Sequence, residues 1–299
     1  MLRLQTTLIG LLISLFTISA QTTVTLPNAG SLASKISKED KKSITSIKIN
    51  GPLNVEDLMV LRELAQGDSG RLATIDLSAT TLTAIPDEAF SECKTLTKVV
   101  LPASLTRIGH SAFGGCKNLT SINIPEKVNS IGDYAFAECE KMETFTIPQG
   151  VTIISNGCFA DCQNLKTIKL PKRAQSIGKE AFARCTELKA IEIPAEVASI
   201  GGAAFAGCVN LSFIKVDPTN KRFCSTAGGV LYSKDGKIVL QYPAGKTGDV
   251  YTIPNGVVRV GMYAFSGCKN IKKIRCAFAQ RFLLIMAMGT RRFCSLTAR

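Results

Sequence analysis

The cysteines of this sequence have the widest choice of chemistry, because a thiol can form a disulfide, ligate zinc or act as a nucleophile. The chain has 11 cysteines and only one histidine. Seven of the cysteines occupy equivalent positions, and six of these follow one another at intervals of 23 residues. These seven are Cys93, Cys116, Cys139, Cys162, Cys185, Cys208 and Cys268.

Cysteines repeated in this way are expected to form a ladder of parallel side chains, one for each structural repeat. Side chains that point in the same direction do not suit the roughly 90° torsion of a disulfide, although neighbouring repeats are close enough. Unpaired cysteine packs as a small apolar residue. The sequence therefore predicts a ladder of buried free thiols, and leaves open whether Cys158, Cys224, Cys276 and Cys294 pair.

Metal binding and catalysis both lack the residues that they need. Zinc sites use closely spaced Cys or His pairs, and the sequence contains no Cys-x-x-Cys. We expect His110 to lie in an exposed turn, because the equivalent positions hold Asp133, Asn156, Lys179 and Gly202. A Cys or Ser nucleophile would then lack a basic partner, and the dispersed glycines form no phosphate-binding loop. We therefore predict that the protein is not an enzyme and has no cofactor and no metal site.

A repeat of 23 residues must position all of these side chains. Phe90, Phe113, Phe136, Phe159, Phe182 and Phe205 keep the same interval, and Phe265 belongs to a seventh unit. Each unit opens with an Ile-Gly turn, continues with Ala-Phe-x-x-Cys at helical spacing and then with an alternating Leu-x-x-Ile-x-Leu/Ile strand, and ends with Pro and Val-x-x-Ile. One unit is then one coil consisting of strand, turn, short strand and helical turn. Since a single coil cannot bury its apolar side chains, the sequence predicts an α/β solenoid.

The repeat also divides the chain into segments. Residues 1–20 are expected to be a signal peptide, too short for a transmembrane helix, and residues 21–84 an amino-terminal cap with atypical repeats. Within the cap, Asn54 is predicted to begin a helix from Val55 to about Ala65, with Asp57 at the capping-box position. The repeats proper occupy 85–216, a β-hairpin insertion around Lys234-Asp235-Gly236 occupies 217–259, and the last recognisable repeat is 260–274. Residues 275–299 form an aberrant basic tail, which is either a frameshifted gene end or a native element.

Composition and charge limit the choice of partner. The chain has no Trp, and its Phe residues belong mostly to the repeat, so neither sugar platforms nor base-stacking surfaces are expected. The net charge is +13, but Arg3 and five arginines of the last 25 residues account for six, which leaves +7 (13 − 6) for residues 21–274. These remaining cations alternate with acids and form no basic run. We therefore predict no nucleic-acid partner.

Units of the form Ile-Gly-x-x-Ala-Phe-x-x-Cys-x-x-Leu-x-x-Ile-x-Leu-Pro resemble the leucine-rich repeats of the BspA-like surface antigens. The resemblance covers roughly residues 70–274, and Cys158 departs from it because an Ala is usual there. It implies a leucine-rich-repeat solenoid that is secreted or displayed at the cell surface. It also implies binding to host matrix proteins or cells, and it supplies no catalytic residues.

The candidate ligand-binding residues follow from alternation along the strand. The residue between two interior positions points outward, and it varies from repeat to repeat while the framework does not. These residues are Val100, Asn123, Thr146, Lys169, Glu192 and Lys215, and a flanking column consists of Lys98, Ser121, Thr144, Thr167, Ala190 and Phe213. They are either a ligand face or merely a soluble surface. We therefore expect an adhesion or ligand-binding module with a protein partner, or alternatively a structural spacer without a specific ligand.

Overall fold

The computed structural model describes residues 21–66 and 70–276. The predicted signal peptide, Cys294 and residues 277–299 of the predicted tail lie outside these ranges. The described chain winds as a solenoid, and each coil contributes one strand to a parallel sheet that we call the front sheet. Its strands are Thr22–Thr25, Ser46–Gly51, Thr74–Thr80, Lys98–Val100, Ser121–Asn123, Thr144–Thr146, Thr167–Lys169, Ala190–Ile193, Phe213–Val216, Val250–Ile253 and Lys273–Cys276.

The register of the front sheet repeats the 23-residue period of the sequence. Lys98 pairs with Ser121, Thr144 with Thr167, and Ala190 with Phe213. The ladder is continuous over the first five strands and then runs in pairs of neighbouring strands. Equivalent residues of successive coils therefore lie side by side, as the period predicts.

A second set of short strands, which we call the rear strands, lines the opposite side of the coils. They come from the Val-x-x-Ile part of each repeat, and their pairing is also parallel. The rear strands are Ala84–Ile85, Arg107–Ile108, Ser130–Ile131, Ile153–Ile154, Ser176–Ile177, Ser199–Ile200 and Arg259–Val260.

The Ala-Phe-x-x-Cys segment closes each coil with tight turns of the i→i+3 type; Cys93 N–H, for example, donates to Phe90 O at 3.3 Å. The i, i+3 spacing of Phe and Cys fits these turns, because each turn keeps a hydrogen bond between residues three apart. In each such coil, however, two residues have positive φ, as at Glu88 (57°) and Glu92 (59°). Alternate N–H groups thereby face the next coil: Glu88 N–H donates to His110 O at 2.7 Å, and Phe90 N–H to Ala112 O at 2.8 Å. These bonds offset a left-handed conformation that costs about 1 kcal/mol or more per residue.

The interior is filled by the ladders that the sequence predicts. Phe113, Phe136, Phe159 and Phe182 are fully buried, and each ring stacks on the next with centroids 5.5–5.7 Å apart. The middle residue of each short front strand also points into the core. Phe145, for example, packs between the rings of Phe136 and Phe159. Stacking thus buries apolar side chains that a single coil would leave in water.

The amino-terminal end is closed by a helix. Helices within the described residues are Leu32–Lys35, Asp40–Ser43 and Val55–Ala65. The last one begins with the predicted capping box, because the Asn54 side chain accepts from Asp57 N–H and the Asp57 carboxylate accepts from Asn54 N–H. Asp57 is buried and also accepts from Leu32 N–H at 2.9 Å. The predicted capping of this helix is confirmed, and it covers the first repeat: Thr95 Oγ1 donates to Ala65 O at 2.9 Å.

Residues 217–259 contain the predicted hairpin and also a coil of the solenoid. Strands Leu231–Ser233 and Ile238–Gln241 are antiparallel around Gly236 (φ 70°), and Phe223–Ser225 adds a third strand. Ile238–Gln241 then pairs in parallel with the rear strand Arg259–Val260. Tyr242 takes the place of the ladder Phe, since its ring stacks on Phe265 at 5.5 Å. A second, smaller apolar cluster forms here beside the main core.

Candidate binding surface on the front sheet

The structure brings the predicted ligand-binding column together on the front sheet. Asn123, Thr146, Lys169, Glu192 and Lys215 are exposed. Val100 is half-buried. The pairing aligns neighbours within this column, with Val100 opposite Asn123, Thr146 opposite Lys169, and Glu192 opposite Lys215. Whether these residues bind a ligand stays a prediction.

The flanking column faces outward as well. Its members are all exposed, whereas the residue between the two columns is buried in most coils, as at Val99, Ile168 and Ile214. Strict alternation explains this, since both neighbours of an inward strand residue must point outward. The surface is therefore two columns wide. The flanking column consists of Lys98, Ser121, Thr144, Thr167, Ala190 and Phe213.

Some of these side chains are occupied by contacts within the surface. The Asn123 side chain lies on the preceding coil, where Oδ1 accepts from Leu101 N–H at 2.7 Å and Nδ2 donates to Leu101 O at 3.3 Å. Glu192 and Lys215 form an ion pair at 2.9 Å. The hydrogen bond from its ammonium to Glu192 raises the pKa of Lys215. The charge of Glu192 is thereby balanced within the sheet.

The cysteines form the predicted ladder of free thiols. All ten cysteines of the described residues are unpaired, including Cys158, Cys224 and Cys276. In five successive coils the Cys Sγ donates to the carbonyl of the Phe one coil earlier, as Cys116 does to Phe90 O at 3.1 Å. Burial raises the pKa of Cys162 to about 12. These thiols are neutral structural groups.

His110 lies in an exposed turn, as predicted, with Nε2 3.2 Å from Ser111 Oγ. Its ring makes an edge contact with Tyr134, with centroids 6.0 Å apart. Across the described ranges, His, Cys, Asp and Glu side chains form no group of three that could hold a metal ion. In the same part of the chain, no helix is long and apolar enough to cross a membrane.

Comparison with known families identifies the repeat. The BspA type leucine-rich repeat region matches in six copies over residues 71–224 and 249–281, which is more than half of the chain. The chain belongs to the BspA-type leucine-rich repeat family. The resemblance seen in the sequence and the leucine-rich-repeat solenoid are confirmed. The second match contains Phe265 and Cys268 of the last predicted repeat.

Solved structures of several bacterial proteins have the same fold. A leucine-rich cell surface protein from Faecalibacterium prausnitzii A2-165 is 32% identical, with a TM-score of 0.65, over 77% of this chain and 59% of that protein. A leucine-rich repeat protein from Bacteroides ovatus and the pneumococcal vaccine antigen PcpA are each 23% identical, with TM-scores of 0.56 and 0.62. They are covered over 57% and 56% of their lengths, and this chain over 85% and 72%. This BspA-type chain thus spans little more than half of these structures. No curated protein matches it.

A second surface feature lies along the rear strands, and the sequence analysis missed it. It is an open depression of about 350 Å³. Its polar side chains mainly support the backbone: Asp133 Oδ1 accepts from Asn156 N–H at 2.9 Å, and Asn156 Oδ1 from Lys179 N–H at 2.8 Å. Nothing within a single repeat signals this depression, because its lining comes from four successive coils. The depression is lined by Asp133, Ile153, Ser155, Asn156, Ser176, Ile177, Gly178, Lys179, Ser199, Ile200 and Gly201.

Proposed function

We propose that this chain is a secreted or cell-surface adhesion module that binds a protein partner through the two outward columns of its front sheet. The observation that carries the proposal is an exposed surface whose side chains change from coil to coil while the buried framework is constant. Solenoids use such extended surfaces for binding. The proposed partner class, a host matrix or cell-surface protein, is the one that the resemblance to this family implies.

Export and the absence of catalysis are parts of the same proposal. The 32% identical relative is described as a cell surface protein, which supports residues 1–20 as a signal peptide. The neutral, buried thiols and the solvent-exposed His110 provide no activated nucleophile. The proposed role is therefore binding alone, with no cofactor.

A structural spacer without a specific ligand is the second candidate. Two observations favour it: Asn123 bonds to its own sheet, and Glu192 is paired with Lys215. Side chains that already form hydrogen bonds or ion pairs within the sheet gain less free energy from contacts with a partner. Lys169 is the member of the column that distinguishes the candidates most sharply, because its exposed ammonium has no carboxylate within 4.0 Å in the described residues.

The experiment is a charge reversal that keeps the fold. Purified full chain and the variant K169E/E192K/K215E are tested for binding to decellularised matrix from cultured epithelial cells. Exchanging Glu192 and Lys215 preserves their ion pair, so the variant alters the arrangement of surface charges without breaking that contact. We expect the variant to lose at least about tenfold in affinity, which corresponds to about 1.4 kcal/mol.

The matched control is K38E/K41E/E63K in the amino-terminal cap. It also changes the net charge by −2, and it likewise exchanges an ion pair of 2.9 Å, between Lys41 and Glu63. The control should bind as the original chain does. Equal binding by all three proteins would contradict a ligand face on the front sheet and favour the spacer.

A further inference from the structure

One coil in the middle of the solenoid carries a group of exposed cations. Within eight residues, from the front strand to the loop that follows it, this coil carries four exposed cations. Lys166 is paired with Glu143 at 2.9 Å. The other three are Lys169, Lys172 and Arg173, and none of them has a carboxylate within 4.0 Å among residues 21–66 and 70–276. We call these three residues the basic ridge.

The neighbouring coils define the direction of the ridge. On the preceding coil, the equivalent positions hold the uncharged Thr146, Gln149 and Gly150. On the following coil, the positions equivalent to Lys169 and Arg173 hold Glu192 and Glu196. Positive charge therefore runs across the solenoid and stops at the next coil. Lys169 and Lys172 are three residues apart, which corresponds to at most about 10 Å of extended chain.

We propose that the basic ridge binds a short acidic segment of a partner protein, which crosses the front sheet at the coil of residues 166–173. This deepens the function proposed above and rests on it. Arg173 can hold a carboxylate with two parallel hydrogen bonds, and the two lysines add compact ammonium charges. Two or three carboxylates within one short segment match the spacing of the three cations.

The same geometry argues against a continuous polyanion. A long sulfated polysaccharide is best held by cations that follow it over many coils, as in an electrostatic groove. Along the solenoid axis, such a chain would leave the ridge and meet the carboxylate of Glu196 on the very next coil, beside Glu192, which is already paired with Lys215. Like charges at contact distance are unfavourable and select against that partner.

The test uses a fluorescent peptide of alternating glutamate and serine, a glutamine version of the same peptide, and a heparin-derived tetrasaccharide as the second anion. Binding to the full chain is followed by fluorescence anisotropy for the peptides and by competition for the tetrasaccharide. The variant K169Q/K172Q/R173Q removes the ridge. The control K35Q/K38Q/K42Q removes three exposed cations of the amino-terminal cap, so its charge change is the same.

We expect the glutamate peptide to bind the original chain and the control, and to bind the ridge variant at least about tenfold more weakly. Binding should weaken between 0.1 and 1 M salt, because the Debye length falls from about 10 to about 3 Å. The glutamine peptide should not bind. Equal loss in ridge and control variants would overturn the proposal, as would a tetrasaccharide that displaces the peptide at lower concentration than unlabelled peptide does.

Matrix binding separates this inference from the proposed function. If the original chain and the ridge variant bind decellularised matrix equally and the peptide does not compete, the acidic-segment inference fails while a ligand face remains. If matrix binding is absent but the peptide binds through the ridge, the adhesion proposal fails while the ridge remains an acidic-segment site. Loss of matrix binding in the ridge variant, together with competition by the peptide, supports both.

Discussion

Two adjacent glycines of one coil provide a direct test of how closely the coils stack. A methyl group added at Gly201 would lie 2.3 Å from Lys179 N and 2.6 Å from Gly178 C, both backbone atoms of the preceding coil. Optimal contacts between carbon atoms are about 3.5–4.0 Å, so the two coils would have to separate by about 1 Å. A methyl group added at Gly202 meets no heavy atom within 4 Å. Neither glycine has positive φ, so alanine fits both backbones.

The magnitudes follow from three effects. Replacing glycine by alanine restricts the unfolded chain and stabilises the protein by about 0.4–1 kcal/mol at either position. At Gly201 this gain is outweighed by overpacking, which costs about 1–3 kcal/mol. Separation of the coils also weakens bonds such as Gly201 N–H to Ile177 O at 2.8 Å, for which we add about 0.5–1.5 kcal/mol. We therefore expect G201A to be less stable than G202A by about 1.5–4.5 kcal/mol.

The assay is thermal and urea unfolding of the original chain, G201A and G202A, followed by far-ultraviolet circular dichroism. One kcal/mol corresponds to about 2–4 °C in a domain of this size, so the two variants should melt on the order of 10 °C apart. G178A should resemble G201A, because its methyl group would lie 2.7 Å from Asn156 N. Melting temperatures of G201A and G202A within about 1 °C of each other would refute the close stacking on which the solenoid depends.

Three further predictions concern the core, the cap and the thiols. F159A, which removes a buried ring stacked on Phe136 and Phe182, should cost about 3–5 kcal/mol in urea unfolding, whereas F213A at the surface should cost about 1 kcal/mol or less. N54A should lower stability by about 1 kcal/mol through loss of the helix cap, and N255A, at an exposed turn, serves as the comparison. The folded-state pKa of Cys162 is raised by burial to about 12, above an unfolded value of about 8.5. Its contribution to stability should therefore be fully present below about pH 8.5 and be lost as the pH rises towards 12. The urea midpoint should fall between pH 7 and pH 10, and it should fall by more in the original chain than in C162A.

The sequence predicts those parts of the fold whose cause is local or strictly periodic. The Asn54 capping box is local, and the thiol and phenylalanine ladders follow from one fixed interval. The left-handed residues were not predicted, because residue type gives little indication of positive φ at Glu88 or Arg184. Their N–H groups donate to carbonyls of the neighbouring coil, so the cause of the conformation is 22 residues away along the chain.

Tyr242 and the rear depression were missed for a different reason. In the coil before the last repeat, Tyr242 lies 23 residues before Phe265, and Val250 pairs with Lys273, which is also 23 residues away, so the interval is kept. A search for phenylalanine and cysteine markers passes over this coil because a tyrosine replaces the ladder phenylalanine. The depression is lined by residues of four successive coils, and only the stacking of these coils brings them together.

The residues of the basic ridge can be replaced without disturbing the fold, because the buried residues that hold the coils together are different ones. Coils are joined by backbone hydrogen bonds and by buried Phe, Cys, Leu and Ile side chains, and the side chains of the basic ridge take no part in this framework. Lys169, Lys172 and Arg173 make no ion pair in the described chain, so their replacement removes charge without leaving a buried partner unsatisfied. A loss of binding in the ridge variant, at unchanged melting temperature, would therefore report on recognition and not on folding. The same independence lets the repeat accept a different set of surface residues on each coil, which is how a constant solenoid can carry a specific binding surface.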